Sequence, residues 1–316
     1  MIIFTFLSGT QIILNNFEKY KYFYHIKAYV LEETQYCYCI LTYENKEIKD
    51  IENIIDYNDK EINVIKTNIY NYKLKDWIDE NMLNWDNLSY NPNAIYLLEK
   101  YPYKINWYWL SVNQNAIHII EKNIKKIHWD TLSSNQNAIH ILEKNLNKID
   151  WCWLSSNPNA IHILENYKNN INWCHLSRNI NGIKLLEENP EKIDWYWLQT
   201  NINAIQILEK YPNKINWGRL SENTNAIKLL EKNQDKIYWY KLSSNSNAIH
   251  MLEENEEKIN WEQLSLNINA IHLIENNKDK IDWKYLSLHK NAIHLLEKNK
   301  EKINWNFLSS NPSIFE

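Results

Sequence analysis

The stretch INWYWLSVNQNAIHIIEKN occupies residues 105–123, and nearly the same letters recur along most of the 316-residue chain. Tryptophan fixes the recurrence, because Trp residues from Trp85 to Trp305 follow one another at intervals of 22 without insertion or deletion. Residues 85–304 therefore form ten complete units, and Trp305 opens a truncated eleventh. A constant period of this size predicts a solenoid, in which units too small to close their own core stack on one another.

Each unit reads W-x-x-L-S-x-N-x-N-A-I-x-L-L-E-K-N-x-x-K-I-[ND], and its places are numbered here from the tryptophan. Apolar residues at places 10, 11, 13 and 14 have helical spacing, and Asn at place 7 predicts the N-cap of that helix. Asn or Asp at place 22, before the Trp, predicts a short helix of about two turns at the start of the next unit. The sequence thus predicts an α-solenoid of paired short helices with the Trp row as core. A strand-containing leucine-rich repeat is the alternative with a similar period.

Composition limits the class of protein. Hydrophobic residues make up 44% and charged residues 23%, which indicates a globular chain, and the net charge of -4 gives no general attraction to nucleic acid or anionic lipid. No apolar run reaches transmembrane length, and the first residues lack the basic region of a signal peptide. Four cysteines without a framework spacing predict free thiols inside a cell: Cys37, Cys39, Cys152 and Cys174.

Chemistry-bearing motifs are also missing from the sequence. The 3 glycines leave no room for a phosphate-binding loop, and no Ser/His/Asp or Cys/His arrangement stands out from the repeats. We therefore predict a protein that is not an enzyme and that uses no cofactor or metal.

The motif LSSNPNAIHILE at residues 154–165 carries a family resemblance. It and its copies, over residues 85–312, resemble the 22-residue Trp/Asn repeats of giant DNA viruses of the mimivirus kind. The resemblance implies a viral protein that acts inside the infected cell, in the host cytoplasm, and it implies no particular activity.

Residues 1–72 do not share the period. Their predicted order is a hairpin, a helix, a strand, the segment LTYENKEIKD, the segment IDYN and a final strand, which is similar to the ubiquitin-like β-grasp fold. Tyr43, Lys46, Ile48, Asp50 and Asp56 to Asn58 carry the resemblance. It implies a small α+β docking or capping domain. Conjugation is not implied, since no Gly-Gly tail follows Lys66. Residues 73–84 resemble the second half of a unit, and we expect them to form a capping helix with Trp77 over the open end of the stack.

Several places are nearly invariant between units. Glu at place 15 and Lys at place 20 predict an ion-pair ladder or cap, and Asn at places 7 and 9 predicts an amide ladder, with His289 as the exception at place 7. Histidines at place 12 predict an outward stripe shared with lysines, and a spacing of about 10 Å between neighbouring helices is too wide for a zinc site. These histidines are His118, His140, His162, His250, His272 and His294.

Places 2 and 3 vary, and we expect them to lie on the outward side of the first helix. An unvarying scaffold with one variable row predicts a binding surface, and Trp, Tyr and Arg dominate binding hot spots. We therefore predict a scaffold for protein–protein interaction that presents this row to a partner, such as a host protein. The alternative is a nucleic-acid-binding solenoid that uses the stripe of His and Lys. The candidate contact residues are Tyr108, Trp109, Trp153, Tyr196, Trp197, Arg219, Tyr240 and Tyr285.

Overall fold

The computed structural model describes residues 72–316 in full and, before them, the backbone of five strands. The strands are β1 (Ile2–Phe6), β2 (Gln11–Leu14), β3 (Cys39–Tyr43), β4 (Lys46–Glu47) and β5 (Glu61–Lys66). They form one sheet in the order β2-β1-β5-β3-β4, with β1 parallel to β5 and the other neighbours antiparallel. The segments between them lie outside the described residues, including the predicted helix. The ubiquitin-like assignment of residues 1–72 therefore stays a prediction.

Each of the ten complete units contains a first helix that begins at its Trp and a second helix that begins at place 11, and the eleventh unit contains a first helix at Trp305. The first helices are Trp85–Tyr90, Trp107–Val112, Trp129–Ser133, Trp151–Ser156, Trp173–Arg178, Trp195–Leu198, Trp217–Leu220, Trp239–Leu242, Trp261–Leu264, Trp283–Leu286 and Trp305–Ser309. The second helices are Ile95–Lys100, Ile117–Lys122, Ile139–Glu143, Ile161–Asn166, Ile183–Glu188, Ile205–Lys210, Ile227–Glu231, Ile249–Glu253, Ile271–Asn276 and Ile293–Glu297. Between residues 75 and 314 there is no strand, so the predicted helix pairs are confirmed and the leucine-rich-repeat alternative is wrong.

Short 3-10 helices fill many of the connections. Some cover places 8–10: Gln136–Ala138, Pro158–Ala160, Thr224–Ala226, Lys290–Ala292 and Pro312–Ile314. Others cover places 18–20: Pro102–Lys104, Leu146–Lys148, Lys168–Asn170, Pro190–Lys192, Pro212–Lys214, Gln234–Lys236, Glu256–Lys258 and Lys300–Lys302. Because a 3-10 helix at places 8–10 precedes the second α-helix in these units, the prediction that Asn at place 7 caps the α-helix needs a correction. Asn157, for example, accepts the N–H of Asn159 and caps a 3-10 turn, and the α-helix starts only at Ile161.

The core runs between the two helix layers. Leu at place 4, Ala at place 10 and the apolar residue at place 14 are buried in unit after unit, as Leu198, Ala204 and Leu208 show. The Trp row is only half-buried, which corrects the prediction that it is core. In the ten complete units each ring packs on the core and also contacts a Lys at place 20 or a Tyr at place 17. Lys104 Nζ lies 4.3 Å from the centre of the Trp85 ring, and the Trp195 and Tyr211 ring centres are 5.1 Å apart.

The Asn residues at place 7 connect the units, as the sequence predicted. Asn201 is fully buried, and its Nδ2 donates to the carbonyls of Ser177 and Asn179 in the preceding unit at 3.1 and 2.8 Å. Its Oδ1 accepts the N–H of Asn203, whose own Nδ2 donates to the carbonyl of Ile180. The two amides therefore pair backbone groups that the short helices leave unsatisfied inside the stack.

The predicted ladder between Glu at place 15 and Lys at place 20 is wrong. The Glu pairs instead with the His at place 12 of the next unit, as in Glu121 with His140 at 2.8 Å, while the Lys lies over the Trp ring. The same pairing joins Glu99 to His118, Glu143 to His162, Glu231 to His250, Glu253 to His272 and Glu275 to His294. The hydrogen bond from His140 lowers the pKa of Glu121. The stripe at place 12 is thus a row of His–Glu pairs rather than a row of free cations.

The two ends of the array meet. Asn91 of the first unit donates to the carbonyls of Ser309 and Asn311 at 2.9 and 3.1 Å, which are the bonds that place 7 makes everywhere else. Likewise the N–H of Asn84 donates to Ser309 Oγ, and Asn93 Nδ2 donates to the carbonyl of Pro312. Because the eleventh unit precedes the first in the same way as any unit precedes its successor, the array is a closed ring of eleven units.

The eleventh unit is built from both ends of the array. Residues 305–316 supply its places 1–12, and residues 73–84 supply places 11–22, with Leu83 buried where other units have Ile. The halves are joined by backbone bonds between Lys73 and Glu316 in both directions, and by the bridge of Leu74 to Phe315. The expected capping helix over residues 73–84 is absent, since this segment holds only the 3-10 helix Glu80–Met82. Trp77 lies in this seam and covers no open end.

The first helices form the inner layer of the ring. Consecutive first helices of units 1 to 6, and those of units 11 and 1, lie side by side with Cα atoms within 8 Å, whereas second helices of equal length lie farther apart. In a closed ring, the spacing between equivalent atoms grows with their distance from the axis. The first helices therefore surround the axis and the second helices form the outer layer.

His289 replaces the ladder Asn in the tenth unit. Its Nε2 donates to the carbonyl of Asn267, and its Nδ1 accepts the N–H of Asn291, so only the neutral ring reproduces the bonds of an amide. Burial lowers the pKa of His289 below its ordinary value, and the charge of Lys290 acts in the same direction.

We expect the array to lose stability through His289 as the pH falls. A lowered folded pKa means that the contribution is complete above the unfolded value of about 6.5 and is lost as the pH falls below it. His289→Asn should therefore lose less of its free energy of unfolding than the wild type between about pH 7.5 and pH 5. Urea melts at the two pH values measure this, and the His–Glu pairs cancel because both proteins contain them. Equal losses would show that protonation of His289 does not strain the ladder.

Candidate binding surface

Places 2, 3 and 6 of the first helices share one face. Places 4 and 5 are buried against the second helices, and at 100° per residue places 2, 3 and 6 point the opposite way. Because the first helices are the inner layer, this face lines the opening of the ring, and it is called the inner face below. Its aromatic and basic members are Tyr90, Tyr108, Trp109, Trp153, His175, Arg178, Tyr196, Trp197, Arg219, Tyr240, Lys241, Lys284, Tyr285 and Phe307.

All eight candidate contact residues lie on the inner face. Trp109 and Trp153 expose 40% and 42% of their surface, and Tyr108, Tyr196 and Tyr240 are also exposed. The other three, Trp197, Arg219 and Tyr285, are half-buried. Indole rings exposed to this extent are not extra core, so the prediction that place 3 points away from the core is confirmed for these two tryptophans. Whether the residues bind a partner stays a prediction.

One aromatic cluster spans the first two units. The Trp109 ring centre lies 5.1 Å from that of Tyr108 and 6.2 Å from that of Tyr90, both in edge-to-face geometry. Tyr108 also contacts the imidazole of His128 at 5.5 Å. These edge contacts hold the rings upright and leave the face of the indole accessible.

A second cluster, in units 5 to 7, combines aromatic rings with guanidinium groups. The Arg178 and Arg219 guanidinium carbons lie 4.6 and 4.5 Å from the centre of the Trp197 ring. Arg219 also stacks on Tyr196 at 3.7 Å and donates a hydrogen bond to its hydroxyl. Cation–π contacts of this kind hold both guanidinium groups against the aromatic rings.

The remaining candidates lie in smaller groups. Trp153 contacts His175, whose pKa is lowered by burial and by the charge of Arg178. Tyr240 accepts a hydrogen bond from Gln263, and Tyr285 contacts Phe307 with ring centres 5.9 Å apart. The inner face therefore carries several separate aromatic patches, and the structure does not bring the eight candidates into one site.

Sequence reasoning missed several members of the inner face. Tyr90 and Arg178 occupy place 6, and Phe307 occupies place 3 of the eleventh unit. The signal was available, because places 3 and 6 are separated by one helical turn and must share a face. The sequence prediction considered only places 2 and 3 and left out place 6.

The described part of the chain offers little else that could bind. Within residues 72–316, no group of three His, Cys, Asp or Glu side chains could hold a metal ion, and no helix is long and apolar enough to span a bilayer. Cys152 and Cys174 are free thiols, and burial raises the pKa of Cys174. A groove on the outer layer is lined by Glu99, His118 and Lys126, but Glu99 pairs with His118, and Lys126 lies over Trp107.

Comparison with known proteins adds no assignment. The chain matches no protein-family model, no curated protein and no solved structure.

Proposed function

We propose that the protein is a non-enzymatic scaffold whose inner face binds a protein partner, in the setting of a virus-infected cell. The observation that carries the proposal is the exposure of Trp109 and Trp153 on the inner face of the ring. Large apolar rings on a defined face mark interaction sites, and Trp and Tyr are enriched among hot spots. The hydrogen-bond ladder fixes the backbone beneath these tryptophans. Binding therefore costs little conformational entropy on the side of this protein.

The size of the opening favours a peptide segment as the bound part of the partner. Eleven helices spaced about 8–10 Å apart close on a circle of about 14–18 Å radius. Side chains fill about 5–6 Å of that radius, so the opening is about 20 Å across. A single helix of about 10–12 Å diameter or an extended segment fits, whereas a domain of about 100 residues, with a radius of gyration near 13 Å, does not.

The alternative, nucleic-acid binding along the stripe at place 12, has weaker support. Six of the residues in that stripe are histidines, and each is paired with a Glu of the preceding unit. A surface that binds phosphates needs cations that are not already neutralised. The glutamates that pair with the histidines supply negative charge along the same stripe, so the stripe has no excess of positive charge from its histidines.

Trp153→Ala tests the proposal. A random peptide library displayed on phage is selected against the full chain, and bound peptides are then measured on the variant. We expect peptides to be enriched, and their affinity to fall on Trp153→Ala by about 2 kcal/mol or more, the loss typical of a hot-spot Trp. The melting transition should move little, because the ring is exposed.

Tyr103→Ala is the matched control. Tyr103 is 79% exposed but occupies place 19, outside the inner face, so this change should leave peptide affinity unaltered. Two outcomes count against the proposal: the selection enriches no peptide, or the enriched peptides bind the Trp153 variant as well as the wild type.

A further inference from the structure

We propose that the segment bound by the inner face is acidic, and that its carboxylates are received by Arg178 and Arg219 on either side of Trp197. This inference rests on the proposed function and specifies the chemistry of the partner. It would be wrong if the partner were bound by aromatic contacts alone.

The two guanidinium groups are held ready for a ligand. Arg178 comes from the fifth unit, Trp197 from the sixth and Arg219 from the seventh, so one stack crosses three units. The guanidinium carbons of Arg178 and Arg219 lie at nearly equal distances from the centre of the Trp197 indole, 4.6 and 4.5 Å. A guanidinium held against an aromatic ring can still donate N–H groups in its own plane to the two oxygens of a carboxylate. Arg219 uses one N–H group for the Tyr196 hydroxyl, and its other N–H groups remain to donate.

Little of this positive charge is neutralised within the protein. In the part of the chain from residue 72 onward, no carboxylate lies within ion-pair distance of Arg178. The nearest acid to Arg219 is Glu222, at 4.0 Å, and Glu222 is held more closely by Lys241 at 2.9 Å. Arg219 and Lys241 therefore share one carboxylate on this arc of the inner face and Arg178 has none within ion-pair distance, although the whole chain carries a net charge of -4.

The distribution of charge favours an acidic peptide over a nucleic acid. Single-stranded nucleic acid carries a phosphate at every nucleotide and needs a continuous basic track. The rest of the inner face instead carries Asp86, Asp130 and Glu262, which would repel a continuous polyanion. A peptide with a few acidic residues can place them at units 5 to 8 and lay its apolar residues on the tryptophans.

The test uses fluorescence anisotropy with the full chain and three labelled probes. These are a peptide of alternating Glu and Trp, its counterpart of alternating Gln and Trp, and single-stranded DNA of the same extended length. We expect the Glu peptide to bind at least about tenfold more tightly than the Gln peptide, a difference of about 1.4 kcal/mol. Arg178→Gln combined with Arg219→Gln should abolish the difference.

A charge-matched control separates local contacts from net charge. Lys184→Gln combined with Lys228→Gln removes the same charge from the same two units, but from exposed residues of the outer layer. It should leave the preference for the Glu peptide intact. If the double Arg variant fails to fold, Arg178→Lys with Arg219→Lys keeps the charge but removes the planar forks, and a loss of preference there gives the same support.

Several results would overturn the inference while leaving the scaffold proposal standing. One is equal affinity for the Glu and Gln peptides, combined with selected peptides that still depend on Trp153. Another is tighter binding of the DNA than of the Glu peptide, together with weaker DNA binding by the Arg178→Gln, Arg219→Gln variant. If neither synthetic peptide binds, the selected library peptides decide: enrichment in Asp and Glu with dependence on both arginines supports the inference, and its absence overturns it.

Discussion

Deleting residues 305–316 should open the ring and lower the free energy of unfolding by more than about 5 kcal/mol. The deletion removes Leu308, Ile314 and Phe315 from the core, and loss of even one buried Leu or Ile side chain typically costs about 2–5 kcal/mol. It also removes the carbonyls of Ser309 and Asn311, to which the side-chain amide of Asn91 donates. The surfaces of the first and tenth units that contacted the eleventh unit become exposed to solvent. Urea melts measure the loss, and solution X-ray scattering should show a larger radius of gyration. An unchanged midpoint and radius would contradict closure.

A disulfide across the seam between residues 73–84 and residues 305–316 is a second test of ring closure. Leu74 and Phe315 are opposite each other without direct backbone bonds between them, and Cα atoms in such pairs are about 4.5 Å apart. That distance lies within the range of about 4.4–6.8 Å that a disulfide spans. Leu74→Cys with Phe315→Cys should therefore oxidise within one molecule, which intact mass and gel mobility detect. In an open array the two ends would be too far apart for this reaction.

Asn201→Ala should lower the free energy of unfolding by at least about 3 kcal/mol, although it removes no apolar surface. The amide of Asn201 makes two bonds to carbonyls of the preceding unit and accepts one N–H of its own unit. Without it, buried polar groups lose their partners, and each unsatisfied group costs about 1–3 kcal/mol. Denaturant melts measure the effect.

Asn203→Ala is the control within the same ladder. Asn203 makes one side-chain bond, to the carbonyl of Ile180, and it is exposed, so water replaces the lost bond. Its substitution should cost about 1 kcal/mol or less. Similar losses for Asn201 and Asn203 would show that burial of the amide does not matter and that the ladder is not what joins the units.

Much of the fold could be predicted from repetition inside one chain. The interval between tryptophans fixed the unit, the apolar spacing at places 10 to 14 indicated the second helix, and the invariant Asn at place 7 indicated the ladder. Local patterns of this kind depend only on short-range geometry and on contacts between neighbouring units. The pairing of Glu121 with His140 was missed because it joins different units, whereas the prediction of a Glu–Lys ladder looked inside a single unit.

Closure could not be derived from local patterns, because it depends on the small rotation between successive units summed around the whole array. A hint was nevertheless present in the sequence. Residues 305–316 end where residues 73–84 resume in the numbering of the unit, so the two partial units are complementary. Residues 73–84 were instead interpreted alone, as a cap. On the inner face, the sequence placed Trp153 and Arg219 correctly but could not show that Arg178 stacks on Trp197.

The seam between the eleventh and first units also restricts how the array can change its length. In an open solenoid, duplication of one 22-residue copy adds a unit at the cost of one more interface of the usual kind. Eleven units in a ring turn by about 33° each, and twelve would have to turn by about 30°. A single duplication must therefore be absorbed by every interface together, because the amides and carbonyls of each one are set for the same angle. Exchange of residues on the inner face meets no such barrier, so evolution can alter the side chains that line the opening far more readily than the number of units.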